Sequence, residues 1–145
     1  MACPYFEPRS IAASPLHANA RLPLIEEYEG LCRVAAEPFA APADTQFRLC
    51  NQGYPRGGCD CFPSEETRSC LRYELMSRNE NTLEVMIIAE RDYAPVEWRV
   101  VRYSSATGAA EPEISDACIS AQLAAFCRAY LNRYLTKHAT ELSVR

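Results

Sequence analysis

The chain has 145 residues, a formal net charge of −4 and a hydrophobic fraction of 48%. A chain of this length typically buries about 68–70% of its unfolded surface, so it can fold as a single domain without covalent staples. The acidic balance argues against nucleic acid as a partner. No run reaches the roughly 20 apolar residues of a membrane-spanning helix. Cysteine is the unusual component, with eight in a chain that has two histidines.

Composition divides the predicted domain, residues 1–145, into two segments. Residues 1–64 hold eight of the ten prolines and four of the five glycines, and they predict an irregular segment because proline interrupts helices and strands. Only residues 44–52 resemble a short helix there, with Gly53 just beyond its end. Residues 65–145 have regular hydrophobic periodicity instead. This second segment therefore predicts the folded scaffold of the domain.

The scaffold begins with three strand-like runs. Residues 70–76, 83–90 and 96–100 each alternate apolar and polar side chains, which is typical of half-buried strands. The short connections between them are rich in turn residues. Consecutive runs with short turns predict an antiparallel meander of about three strands with a polar outer face.

A helix is predicted to follow over residues 116–138. Apolar side chains recur there at spacings of three and four, which places them on one face. Ser115 is the predicted N-cap, since its hydroxyl can accept a backbone N–H of the first turn. We therefore predict an α+β fold, a small meander packed by one long C-terminal helix, with the irregular N-terminal half wrapped around a metal cluster.

The cysteines fall into two groups. Cys70, Cys118 and Cys127 lie within predicted regular elements and are expected to be small buried apolar residues. The other five lie in the irregular segment, at Cys3, Cys32, Cys50, Cys59 and Cys61. A long irregular segment in a compact domain needs something to organise it. Thiolates select zinc, copper(I) or iron–sulfur clusters, so a metal centre is the favoured explanation.

Disulfide bonds are the less favoured explanation for the N-terminal cysteines. The N-terminus has neither the basic start nor the apolar stretch of a secretory signal, which predicts a cytoplasmic protein. Disulfides are rare in that compartment.

The spacing of the cysteines favours an iron–sulfur cluster over zinc. Structural zinc usually draws on C-x2–4-C pairs, whereas here the successive gaps are 28, 17, 8 and 1 residues. Four cysteines that are widely dispersed along the chain are better suited to a cubane cluster, because its irons lie apart from one another and each takes its own ligand. Cys3 is followed by Pro4, and a Cys-Pro step recurs at cluster ligands. Aromatic residues adjoin the cysteines and are expected to screen a cluster from water, namely Tyr5, Phe6, Tyr54 and Phe62.

Two stretches carry a resemblance to other proteins. They are Cys3-Pro-Tyr-Phe and Cys50-Asn-x-Gly-Tyr-x-x-Gly-x-Cys59 followed by Phe62-Pro63. Together with Cys32 they resemble a small group of uncharacterised bacterial cysteine-rich proteins. The resemblance implies an iron–sulfur centre with Cys3, Cys32, Cys50 and Cys59 as ligands, and it brings no established activity. Cys61 is an addition to that pattern. In an extended stretch Cys59 and Cys61 would point the same way, so Cys61 remains an alternative ligand.

These observations predict a 4Fe-4S protein for electron transfer or redox sensing. Four cysteine ligands leave no iron open, which disfavours Lewis-acid catalysis. Its redox partner protein is not identified by the sequence. One alternative is a structural zinc module that mediates protein–protein contacts. A second is a cysteine-dependent enzyme, for which His17 or His138 would supply the base. His17 is also considered as a substitute metal ligand.

Overall fold

The computed structural model describes residues 1–15 and 22–143, with side chains as far as Tyr134. Within these ranges the chain forms two antiparallel sheets and one long helix. In chain order the elements are β1 (Phe6–Ile11), β2 (Tyr28–Cys32), the short helix α1 (Ala43–Thr45) with a π turn (Gln46–Cys50), β3 (Cys70–Arg78), β4 (Thr82–Arg91), β5 (Ala94–Ser104), β6 (Ala110–Glu111) and α2 (Ala117–Ser143). No helix in the described ranges is long and apolar enough to cross a membrane.

The larger sheet has the order β3-β4-β5-β6 and confirms the predicted antiparallel meander. Val85 in its middle strand is paired with Leu75 on one side and Val101 on the other. Alternation along each strand directs such residues to the face that packs beneath α2. That face supplies much of the core, together with buried residues of α2 such as Leu123 and Phe126.

The strand count differs from the prediction in two places. The sheet has a fourth strand, β6, which is two residues long and pairs with Arg102 and Tyr103. The N-terminal half also contains a two-stranded sheet, β1-β2, and is therefore less irregular than expected. Its strands are five or six residues long, and a bulge between Pro8 and Ser10 interrupts their register. Such short, interrupted strands carry too little periodicity to be recognised.

Both predicted helices differ in detail from the structure. The long helix begins at Ala117, and its N-cap is Asp116 rather than Ser115. Asp116 Oδ1 accepts the backbone N–H groups of Cys118 and Ile119 at 2.9 and 3.0 Å. The helix predicted over residues 44–52 is instead α1 followed by the π turn.

Candidate cysteine-ligated metal centre

Four cysteines from separate segments lie near one another in the structure. Cys3 precedes β1, Cys32 ends β2, Cys50 ends the π turn, and Cys59 lies in the glycine-rich loop. The backbone N–H of Cys3 donates to the carbonyl oxygen of Cys50 at 3.0 Å. Cys32, Cys50, Cys59 and Cys61 line a pocket of about 270 Å³. Residues separated by as many as 56 positions in the sequence thus meet in one place.

The thiols lie near enough to influence one another electrostatically. Burial raises the pKa of Cys3, and the neighbouring thiols of Cys50, Cys32 and Cys59 raise it further. Burial raises the pKa of Cys50 to about 12, with contributions from Cys32 and Cys59. Several buried thiolates cannot coexist without compensating positive charge, because each is desolvated and repels the others. Binding of a metal centre supplies that charge and favours release of the thiol protons.

Cys59 and Cys61 differ in their relation to this group. Cys59 interacts electrostatically with Cys3, Cys32 and Cys50, whereas Cys61 does so with Cys32 alone. Cys59 is half-buried and Cys61 is exposed. The N–H of Phe62 donates to the carbonyl of Cys59 at 3.1 Å, so the stretch is a turn. The assumption of an extended stretch, which would direct both thiols the same way, is therefore wrong.

Asn51 fixes the position of its neighbour Cys50. Its side chain is buried and donates to the carbonyl oxygens of Tyr28 and Gln46, both at 2.9 Å. In return it accepts the backbone N–H of Tyr28 at 2.8 Å. Gln46 extends the connection by accepting the N–H of Gly30 at 2.9 Å. The π turn is thereby attached to β2, the strand that carries Cys32.

The segment around Cys3 is held by hydrogen bonds on two sides. The backbone N–H of Ala2 donates to Leu71 of β3 at 2.8 Å, and the bond in the opposite direction has the same length. The side chain of Gln122 on α2 donates to the carbonyl of Cys3 at 2.8 Å. The backbone N–H of Tyr5 lies 3.5 Å from Cys3 Sγ and donates to it. One thiol of the group thus already receives an amide hydrogen bond.

The loop that carries Cys59 depends on glycine for its shape. Gly53 has a φ of +83°, and a Cβ there would lie 2.7 Å from the carbonyl oxygen of Arg48. This position admits no side chain without a backbone shift. Further along, the carbonyl of Pro55 accepts the N–H groups of Gly58 and Cys59 at 3.1 and 2.7 Å. These bonds direct Cys59 back towards the pocket.

The aromatic residues beside the cysteines have separate roles. Tyr5 and Phe62 pack edge to face with centroids 5.9 Å apart. Phe6 is part of the main core. Tyr54 donates its hydroxyl to Glu90 at 2.7 Å and packs on Tyr93. Of the four residues expected to screen a cluster, Tyr5 and Phe62 are thus the pair that packs together beside the cysteines.

The remaining predicted residues are placed as follows. All eight cysteines are free thiols, and Cys70, Cys118 and Cys127 are buried as expected. His17 and the side chain of His138 lie outside the described residues. Among residues 1–15 and 22–134, no group of three or more His, Cys, Asp and Glu side chains is arranged to hold a metal ion.

Sequence reasoning missed Gln122 and Asn51, the two buried amides that position Cys3 and Cys50. The only signal for Gln122 is that it is a polar residue amid the apolar positions of α2. Asn51 adjoins a cysteine and belongs to the Cys50-Asn-x-Gly-Tyr stretch, but neither fact indicates which groups its side chain contacts.

Compared with protein-family models, curated proteins and solved structures, the chain matches none. The argument about function therefore depends on the residues and geometry of this chain.

Proposed function

We propose that Cys3, Cys32, Cys50 and Cys59 bind one 4Fe-4S cluster and that the protein transfers electrons or senses redox state through it. The observation that carries this proposal is that Cys32, Cys50 and Cys59, from three separate segments, line one pocket, and that Cys3 is joined to Cys50 by a backbone hydrogen bond. A soft metal centre is the chemistry that such a donor set selects.

The surroundings of the thiols suit an iron–sulfur cluster. Apolar side chains of Phe39 and Leu49 contribute to the pocket wall. The N–H of Tyr5 donates to Cys3 Sγ, and hydrogen bonds to ligand sulfur are one means by which proteins tune cluster potential. A set of four cysteine ligands leaves no iron open to a substrate. Electron transfer or redox sensing is therefore favoured over catalysis at a metal.

The burial of the thiols gives the centre an inner and an outer side. Cys3 and Cys50 are buried, whereas Cys59 is half-buried and Cys61 is exposed. The outer side is therefore the side on which a redox partner protein would approach the cluster. On the inner side the segment of Cys3 is hydrogen-bonded to β3 and α2, and burial there limits access of water and oxidants to the Cys3 and Cys50 thiols.

Metal and sulfide analysis of protein purified under argon tests the proposal. We expect a brown protein with about four irons and four acid-labile sulfides per chain, as the cubane formula requires. We also expect an electron paramagnetic resonance signal that appears or disappears on reduction. A colourless protein with one zinc and no sulfide would instead identify a structural zinc module, and metal-free protein would contradict both.

Serine variants test the ligand assignment. Cys3→Ser is expected to lose most of its iron, because a hydroxyl is a poor ligand for this centre. Cys127→Ser is the matched control, since Cys127 is also buried and only burial raises its pKa, to about 12. It is expected to keep full iron occupancy. Full occupancy in Cys3→Ser would remove that residue from the ligand set.

The pair Cys59→Ser and Cys61→Ser distinguishes the two neighbouring thiols. We expect iron loss in the Cys59 variant, because its thiol interacts with three others of the group. The Cys61 variant is expected to bind iron as the unmodified chain does. The opposite pattern would assign Cys61 as the fourth ligand.

A further inference from the structure

Strand β5 leaves most of one edge unpaired. It pairs with β4 along nearly its whole length, but β6 covers only Arg102 and Tyr103 on the other side. Among the described residues no strand pairs with the remaining edge, residues 94–101. Three apolar side chains of this edge are exposed, with Val96 at 46%, Trp98 at 66% and Val100 at 42%. Open edges with exposed apolar side chains are templates for pairing with another chain.

The hydrogen bonds at the end of β5 show which of its residues direct their backbone N–H and C=O groups to the free edge. Ser104 exchanges hydrogen bonds with the β6 side, through Ala109 and Gly108, whereas the N–H of Ser105 donates to Asn81 on the β4 side. Alternate residues of a strand direct their N–H and C=O groups to opposite edges. Val100 and Trp98 lie four and six residues before Ser104, both even spacings, and the β5 bulge lies before them and does not interrupt the alternation. Their backbone groups therefore point to the free edge.

Charged residues favour one register if the β5 edges of two copies of the chain pair with each other. An antiparallel pair centred on Trp98 places Glu97 of each copy opposite Arg99 of the other. Neither side chain forms an ion pair within the described part of the chain, and both are exposed. Opposite charges directly across two strands are stabilising.

Neighbouring registers are less favourable. Moving the centre by one residue to Arg99 places two arginines directly opposite each other, which is destabilising. Moving it to Val100 brings Trp98 against Arg102, whose outer edge is already occupied by β6. The register centred on Trp98 satisfies the charge requirement, and it pairs residues 95–101 of the two copies, which β6 leaves open.

We propose that the protein forms a two-fold symmetric dimer through antiparallel pairing of the β5 edges, centred on Trp98. The two four-stranded sheets join into one continuous eight-stranded sheet. Each Trp98 exchanges backbone hydrogen bonds with its counterpart, as residues with outward-facing groups do in an antiparallel pair. The two indoles lie on the outer face, where Trp98 is already beside Ile88 of β4.

Charge reversal provides the test, in the 145-residue chain as purified under argon, with a reducing agent that excludes disulfide dimers. The dimer dissociation constant is measured by sedimentation equilibrium from micromolar to millimolar protein. We expect Glu97→Arg and Arg99→Glu each to raise this constant about tenfold, because each creates two like-charge pairs by symmetry. The double variant with both changes restores opposite charges and is expected to return close to the original value.

The matched control is Glu80→Arg, an exposed reversal in the turn between β3 and β4. It is expected to leave the dissociation constant unchanged, and circular dichroism verifies that every variant is folded. A monomer at all concentrations overturns the proposal, as does a dimer that neither single reversal weakens. A dimer weakened by the single reversals but not restored by the double variant overturns the Trp98 register.

Discussion

Gln122 of α2 donates hydrogen bonds from its side-chain amide to the carbonyl oxygens of Cys3 at 2.8 Å and Phe6 at 2.7 Å. Its amide oxygen accepts the hydroxyl of Tyr73 of β3 at 2.9 Å. The Gln122 side chain is fully buried, so none of these partners can be replaced by water. One amide therefore joins the helix, the large sheet and the turn that carries the first candidate ligand.

Replacing Gln122 with leucine is expected to destabilise the fold. The substitution removes three buried hydrogen bonds and leaves the Tyr73 hydroxyl without its acceptor, whereas the carbonyl of Cys3 keeps the backbone N–H of Phe6 as a donor. Each buried group that is left without a partner costs about 1–3 kcal/mol. We expect the free energy of unfolding to fall by about 3 kcal/mol in urea denaturation, allowing for partial relaxation. Ser120→Ala, at an exposed position of the same helix, is the control and should change little. Equal stability of the two variants would show that the Gln122 bonds are dispensable.

Gly30 is expected to tolerate no side chain. A Cβ at this position would lie 2.1 Å from the carbonyl oxygen of Glu7, which is backbone and cannot rotate away. Overpacking of this kind typically costs about 1–3 kcal/mol. Gly30→Ala should therefore lower the free energy of unfolding by at least that amount. Because β2 also carries Cys32, the variant should bind less iron if the proposed cluster is present.

Gly57→Ala is the comparison for Gly30→Ala. Gly57 has a φ of +86°, and a Cβ there would meet no atom within 4 Å. Its cost is therefore conformational alone, about 1–2 kcal/mol for a left-handed residue. We expect the iron content of this variant to stay near that of the unmodified chain. Equal effects of the two alanines on stability and iron would contradict the steric argument.

The sheet could be predicted from the sequence because its strands are long and half-buried. Leu71, Tyr73 and Leu75 alternate with polar residues over a stretch that contains no proline, so the period of two is visible. The β1-β2 pair could not be predicted, because Pro8 and a bulge break the alternation of β1. Its pairing joins residues about 20 positions apart, which local patterns do not encode. Strand β6 could not be predicted for another reason, since its two residues are too few to show any alternation.

The candidate site was partly predictable for a similar reason. The dispersed cysteines of the proline-rich segment predict a metal centre, because thiolates are soft metal ligands and an irregular segment needs something to organise it. Our preference for Cys59 over Cys61 depends on the turn that Cys59 forms with Phe62, and the alternation of side chains in an extended strand could not have indicated that turn. Gln122 was missed because a helix pattern shows only that a polar residue lies near the core. It does not show which carbonyl oxygens that residue will meet.

The cap of α2 is a direct test of the corrected helix start. Asp116 accepts the N–H groups of Cys118 and Ile119, so Asp116→Ala leaves both donors without that partner. Loss of an N-cap costs about 0.5–2 kcal/mol, and we expect about 1 kcal/mol in urea denaturation. Asp116→Asn should retain most of the stability. Ser115→Ala should change it by less than the alanine at position 116, and the reverse order would restore Ser115 as the cap.

Glu66 should make the fold sensitive to acid. Burial tends to raise the pKa of this carboxylate, but hydrogen bonds from Arg68 and Tyr5 outweigh that effect and hold it at about 2, below the ordinary 4.5. Arg68 Nε donates at 2.9 Å and the Tyr5 hydroxyl at 2.7 Å. Because the unfolded chain binds the proton more readily, this contribution to stability is complete above about pH 4.5. It is lost progressively as the pH falls towards about 2.

The comparison of Glu66→Gln with the unmodified chain isolates this effect, because loss of any metal centre and titration of the other carboxyl groups occur in both. Above pH 4.5 the variant should be less stable by about 2 kcal/mol, the scale of hydrogen bonds to a charged group. The difference should shrink as the pH falls, since the carboxylate of the unmodified chain then takes up its proton. Free energies of unfolding measured across this range provide the test. A difference that stays constant with pH would mean that Glu66 is not ionised in the folded protein.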